Sequence, residues 1–454
     1  MAKPLPWPQP DRTSVFAQYT LNLFTIQLQP LGQARRHALR QIRIAARDAV
    51  FTRLLREPGN QLDDWLQAEP APLAYWLCDH WWRLRWEGVP TNGPSPDWRL
   101  SHDVAATGGG YAWPRLSIWG DVDRIGLHSQ ADPAGVVGPV RYLTDALVYV
   151  DAGEFEAEVD RFLAQVAAEH RENGAEPIAL EALIAALTAE RQDPEVARWR
   201  RLEARLGYDP DAGPDDLIAS ADTLATRWGL EAVEEAICAT PGSMATETLA
   251  GEVSYTQQYG QACDFSAILT GIEPVPRNAC APPWVAAEES AARVRALAGI
   301  QRGPLRNTRL ADLLATTTKA FKGQPPQPNL AYGLRLGTEG NPGPQTIALR
   351  SAPSAGRRFE LCRALGDALW SRHEPLGPLA KTSTARQKFQ RTFAQSLLCP
   401  FDELMAYLGQ DQPDEDAIAA AADHFHVGER VVQTVLRNKD VIPRQRFEDW
   451  VEAA

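Results

Sequence analysis

Six cysteines in 454 residues (Cys78, Cys238, Cys263, Cys280, Cys362 and Cys399) stand far apart, and none forms a C-x-x-C pair. That spacing argues against a disulfide framework and a cysteine zinc site and predicts reduced, partly buried thiols. Also missing is any uninterrupted apolar run near the roughly 18 residues that a membrane helix needs. The opening "MAKPLPWPQP" lacks the basic-then-apolar order of a signal peptide, so the expectation is a cytoplasmic protein with no membrane partner. The glycine triplet at 108–110 lacks both the Lys-Ser/Thr of a P-loop and the Rossmann spacing, which leaves a tight turn. No cofactor is suggested by any motif.

What the chain has in excess is acid, unevenly placed. The formal net charge is -12, and residues 150–260 hold 23 acids against 8 bases. Residues 1–60 and 350–400 run the other way, the second with Arg350, Arg357, Arg358, Arg363, Arg372, Lys381, Arg386, Lys388 and Arg391. An acidic stretch suits a basic protein partner, and a basic stretch admits local contact with DNA or pairing with the chain's own acids.

The pattern predicts a multidomain α+β protein. Residues 1–150 read as a tryptophan-rich α+β domain: strands in "SVFAQYTLNLFTIQLQP", "RQIRIAARDAVF", "RLSIWGDVDRIGLHS" and "VRYLTDALVYV", and a single helix in "APLAYWLCDHWWRLRWEG" ended by Gly88. Nine of the 14 tryptophans precede residue 120, as a packed core or as the lining of a pocket around Trp81, His102, Gly109 and Tyr111. Residues 151–240 read as an acidic helical region, a spacer or docking surface, and 241–283, with their Gly, Ser, Thr and "PVPRNACAPP", as an irregular linker. Residues 284–454 form a mostly helical domain with one hairpin, "NLAYGLRLGTEGNPGPQTIALRS".

Within that last domain, Arg358, Phe359, Leu361, Leu365 and Gly366 fit the framework of R-F-x-L-A-H-E-L-G-H, and Phe393, Ala394, Leu397, Leu398 and Pro400 fit E-x-x-A-N-x-F-A-x-x-L-L-x-P. Residues 284–442 therefore resemble the ImmA/IrrE family of metallopeptidase-like proteins. The resemblance implies a zincin-like fold and a role in regulation, stress response or phage defence. In H-E-x-x-H two imidazoles four residues apart reach one zinc while the glutamate serves as general base. Here those places hold Arg363, Ala364 and Asp367, and the downstream acid falls at Gln387. The reading is a pseudoenzyme without bound metal, in which Arg363 and Asp367 pair across one helix face and Gln387, Gln390 and Arg391 join from the facing helix.

Two other readings stand beside it. One is a metal-dependent peptidase with ligands relocated to Cys362, Asp367, His373, Asp423, His424 or His426. The other is a DNA-binding regulator in which "AIAAAADHFHVGERVVQTVLRN" forms a helix-turn-helix presenting Arg430, Gln433, Arg437 and Lys439.

Overall fold

In the computed structural model the amino-terminal strands follow the alternation of their sequence. The structure describes residues 24–443 apart from 32–38, 57–58, 91–92, 122, 136–137, 173–177, 241, 276–281, 301, 325–329, 339–340 and 410–412. Cys280, Trp7 and the bases before residue 40 lie outside the described residues. Strands β1 (Phe24–Pro30), β2 (Arg40–Ala46), β3 (Ala49–Val50), β4 (Leu54–Arg56), β5 (Gln61–Asp63) and β6 (Leu66–Ala68) lead into helices α1 (Pro70–Asp79), α2 (Trp81–Trp86) and α3 (Pro96–His102). Strands β7 (Leu116–Asp121), β8 (Arg124–Ser129), β9 (Val140–Tyr142) and β10 (Ala146–Asp151) follow. The helix expected through 71–88 breaks at His80, whose φ of -106° and ψ of 9° leave the helical region and separate α1 from α2.

The rest is largely helical: α4 (Ala152–Glu172), α5 (Ile178–Gln192), α6 (Pro194–Arg205), α7 (Asp215–Trp228), α8 (Leu230–Ala239) and α9 (Ala245–Tyr259), then β11 (Gln261–Asp264), α10 (Ser266–Gly271), α11 (Pro283–Leu297) and α12 (Asn307–Leu313). The hairpin β12 (Gly333–Thr338) and β13 (Asn341–Ala348) precedes α13 (Ser354–Trp370), β14 (Leu376–Leu379), α14 (Ala385–Leu398), α15 (Phe401–Leu408), α16 (Glu415–Phe425) and α17 (Glu429–Asn438). The protein is a multidomain α+β fold. None of the described helices is long and apolar enough to cross a membrane.

Two compact units result, one from residues 1–78, 102–118 and 123–185, the other from 79–101, 119–122 and 186–454. These divisions depart from the expected boundary at 150, and packing explains why. Helix α4 buries Phe155, Val159, Phe162 and Val166 at helical spacing, and Phe155 meets Phe24 of β1 at 5.1 Å, so α4 completes the first unit. The edge of β1 is tied to the same helix by Ile26 N, which donates to Glu158 at 2.5 Å. Helix α2 belongs to the second unit, where it packs on α6.

In the second unit an antiparallel sheet of order β11-β13-β12-β14 is buried on both faces. One face meets α6–α9 through Leu334, Leu336, Ala348 and Leu376, and the other meets the carboxy-terminal helices through Ile347 and Leu379. The stretch 241–283, expected as a linker, supplies α9, β11 and α10 to this assembly. Its polar composition hid a buried stripe, Leu249, Val253 and Thr256, and Gly260 lets the chain turn where a Cβ would lie 2.4 Å from Thr346 Cγ2.

Helices α13 and α14 form the centre of the carboxy-terminal core, with Leu361, Leu365 and Leu369 against Phe389, Phe393 and Leu397. Gly366 permits the approach, since a Cβ there would lie 2.9 Å from the Phe393 ring. Gly366→Ala is therefore expected to cost about 1–3 kcal/mol in urea unfolding by overpacking, although alanine is the better helix former. An unchanged or raised unfolding free energy would show that the contact has room to spare.

Candidate functional site: a buried charge network

Where the resemblance would place zinc ligands, α13, α14, β12 and β14 converge on a carboxylate with no exposed surface, Asp367. Its Oδ1 accepts from Arg386 Nε at 2.7 Å and Gln390 Nε2 at 2.6 Å, and its Oδ2 accepts from Arg335 Nε at 2.8 Å and a terminal nitrogen of Arg386 at 3.1 Å. A carboxylate offers about four lone-pair positions, so this one has none left for a metal. Burial works to raise the Asp367 pKa, but the charges of Arg386 and Arg335 outweigh it and hold the group below the usual aspartate range. Arg386 is itself raised, burial being overcome by Asp367 and Glu374. Gly377 on β14 makes room for the pair, because a Cβ there would stand 1.8 Å from Asp367 Oδ2 and 2.7 Å from Arg335 Nε.

The expected ion pair between Arg363 and Asp367 is not formed. Arg363 is also buried, but it donates to neutral oxygens: Ala380 O at 2.6 Å, Gln387 Oε1 at 2.6 Å and Gln390 Oε1 at 3.1 Å. Gln390 stands between the two charges, accepting from Arg363 and donating to Asp367. Burial, together with the nearby charge of Arg391, pushes the Arg363 guanidinium down to about 9, still protonated at neutral pH. Arg391 does not join the Asp367 cluster in the expected way; it donates to Thr382 O at 2.8 Å. Gln387 is fully used, accepting from Arg363 and Ala380 N and donating to Pro378 O at 2.8 Å and Glu235 at 3.2 Å. Ala364 lies in the apolar core.

These residues do not suit zinc. A guanidinium has no lone pair to give, Gln387 already uses both ends of its amide, and Asp367 is saturated. The alternative ligands are not assembled either: Cys362 is fully buried and its thiol is pushed up to about 12 by burial, His373 is exposed, and the His424 ring stacks on Tyr407 at 4.2 Å. Among the described residues no group of three or more His, Cys, Asp or Glu could hold a metal ion. Compared with protein-family models, curated proteins and solved structures, the chain matches none.

Several members of the network were not expected from sequence. Arg335 ties Asp367 to Gln345 at 2.9 Å and to the Glu374 carbonyl at 3.0 Å, and Arg386 reaches the Glu374 carboxylate at 2.6 Å. The available signal for Arg335 was a lone arginine between leucines in a strand; for Arg386 it was its position four residues before Gln390 on one helix face. The acidic middle, expected as a spacer or docking surface, contributes Glu235 of α8, whose Oε2 accepts from Thr384 Oγ1 at 2.9 Å and from Gln387. Asp121 accepts from Ala385 N at 2.9 Å, so two buried acids meet the amino-terminal end of α14, where the helix dipole favours negative charge.

The basic stretch 350–400 is correspondingly no surface patch, since Arg357, Arg358, Arg363, Arg386 and Lys388 are all buried. Arg358, for example, is held by Leu305 O at 2.5 Å and His426 O at 3.1 Å. On α17, Arg430 is exposed and Gln433 and Arg437 are half-buried, while Lys439 just beyond the helix lies 2.7 Å from Glu288. Of the residues expected around an amino-terminal pocket, Trp81 belongs to the second unit and His102, Gly109 and Tyr111 to the first. Trp81 is buried edge-on to Trp82 at 4.8 Å, and His102 is fully buried with Nδ1 2.6 Å from Ile118 O. Gly109, at φ 71°, packs against Pro72, and Tyr111 lies edge-on to Trp113 at 6.3 Å. Each has a packing role within its own unit.

Removing the central charge leaves two buried arginines without it, and Asp367→Ala is expected to destabilise the fold by about 3–5 kcal/mol in urea unfolding. A loss below about 1 kcal/mol, the level of an exposed pair, would show that the cluster opens to water. Glu235 supplies the opposite pH signature. Burial, only partly offset by Arg386, the Thr384 hydroxyl and Arg205, raises it from 4.5 to about 7. The folded state thus holds this proton more tightly than the unfolded chain, so the contribution is present below about pH 4.5 and lost as pH rises through about 7. Glu235→Gln is expected to gain on the native protein by on the order of 3 kcal/mol between those limits. Parallel stability curves for the two proteins would contradict the raised pKa.

Proposed function

We propose that this protein is a non-catalytic, pseudo-metallopeptidase interaction or regulatory protein of the cytoplasm, related to the ImmA/IrrE type, acting through a protein partner in a bacterial stress-response or defence system. One observation carries the reading: at the place of the zinc ligands stands a carboxylate whose four acceptor positions are all taken by arginine and glutamine donors. The framework residues support the same relationship. Leu361, Leu365, Gly366, Phe393, Ala394, Leu397 and Leu398 pack α13 against α14, so the parts of the motif that build a helix pair are kept while the parts that bind metal are replaced. Arginine at 363, where the first histidine of the motif would stand, favours neither proton abstraction nor metal coordination at neutral pH.

The outer face of the helical middle suits a basic partner. Asp193, Glu195, Asp215 and Asp216 are exposed at the starts of α6 and α7, where carboxylates stabilise helix amino termini and face solvent.

The first test is metal content by elemental mass spectrometry on the full chain purified without chelators or a histidine tag, together with a protease assay on an unfolded protein substrate. The expected result is well under about 0.1 zinc per chain and no cleavage. About one zinc per chain with metal-dependent cleavage would overturn the proposal.

A further inference from the structure

One buried carboxylate stands outside the Asp367 network and has almost nothing to answer its charge. Glu252 lies in the middle of α9, 3% exposed, between Leu249 and Val253 of the apolar layer on one face of the second unit's sheet. Its Oε1 accepts from Ala331 N at 2.6 Å, at the approach to β12. Its Oε2 is buried with no hydrogen-bond partner, and Glu252 makes no ion pair among the described residues. Asp367 fills four acceptor positions with arginine and glutamine donors; Glu252 fills one with a neutral amide. A carboxylate sealed in this way is costly to keep ionised, and a bound proton removes the cost.

The elements around α9 offer little relief. Tyr332, the residue after Ala331, is 2% exposed, and its Oη is also buried without a hydrogen-bond partner. Burial raises the Tyr332 pKa, and the charge of Glu252 raises it further. Arg350, two residues beyond β13, is exposed, and its charge reaches Glu252 without forming an ion pair. From α7 and α8, which also pack on α9, no charged group among the described residues acts on Glu252. Burial therefore dominates and raises Glu252 from 4.5 to about 7, the Ala331 amide and Arg350 opposing it only in part.

We propose that Glu252 is a proton-operated latch: as the neutral acid it lets α9 lie against β12, and on ionising it loosens α9 and residues 330–334 from each other. The ionised group gains solvation only if water reaches Oε2, and α9 is placed to admit it. Gly251, Ser254, Gln257 and Gln258 on its outer side are exposed. The Asp367 cluster is not disturbed by such a movement, because Arg335 alternates to the face of β12 opposite Leu334 and Leu336. Opening bares Leu249, Val253 and Tyr332, an apolar surface hidden in the closed state. The proton is held more tightly closed than open, so the latch holds fully below about pH 4.5 and weakens as pH rises through about 7. This device does not depend on the metal-site or partner reading above.

The test is hydrogen–deuterium exchange of the full chain at about pH 5 and about pH 8, corrected for intrinsic exchange rates. Glu235→Gln is present in every sample, so that the titration of Glu235 does not contribute. Opening of α9 and residues 330–334 is expected to increase at least about tenfold between the two pH values, and less than about threefold once Glu252→Gln is added. A pH dependence that Glu252→Gln leaves unchanged overturns the proposal. Infrared spectroscopy gives a readout that needs no opening: the carbonyl band of protonated carboxylic acids at about pH 6 should weaken on Glu252→Gln. An unaltered band would mean that Glu252 is ionised in the closed protein, and that result overturns the proposal too.

Discussion

A charge with no exposed surface must find its counter-charge inside the protein, and Asp367 finds two. The arginines come from different elements, Arg335 from β12 and Arg386 from α14, while Asp367 itself is on α13. One carboxylate therefore fixes the relative position of a strand and two helices. The geometry also explains Gly377, the residue opposite Arg335 in the β12–β14 ladder, where any larger side chain would occupy the space of the ion pair. Such a cluster contributes little net stability over an apolar core, because desolvating three charges offsets most of their attraction. It is costly to break, and that cost holds the elements in one arrangement.

Around this centre the remaining polar groups are ordered by distance from the charge. Glutamines 387 and 390 face both ways, accepting from Arg363 and passing hydrogen bonds on to Pro378 O, Glu235 and Asp367. Arg363 is then a cation solvated by amide dipoles rather than by a carboxylate. Farther out, Glu235 and Asp121 close the start of α14, and Glu374 carries the network outward. The inner part of the network is sealed from water, and its outer edge reaches a surface cleft at Glu374.

Much of the architecture was legible in the chain. The β12–β13 hairpin and the α16–α17 pair occupy the segments that their turn residues marked. The helix break at His80 was hidden because apolar residues continue on both sides of it. Helix α9 in 241–283 was hidden because Thr and Ser can fill buried helix positions when their hydroxyls bond back to the preceding turn, as Thr256 does to Glu252 O at 2.6 Å.

The sequence by itself determined that the H-E-x-x-H chemistry is absent, since identity alone makes Arg363, Ala364 and Gln387 unfit for that zinc site. It also places Leu361 and Leu365, and Phe393 and Leu397, four apart, on one face of each helix. Only the tertiary structure decided which charges meet. Arg363 and Asp367 are neighbours on one helix, yet local proximity lost to partners 19 and 32 residues away from Asp367 that bring better-placed donors. The same reason turned a basic stretch inward and drew one acid from the middle of the chain: a buried ion is stabilised by whatever countercharge folding brings within about 3 Å, and sequence separation does not enter that sum.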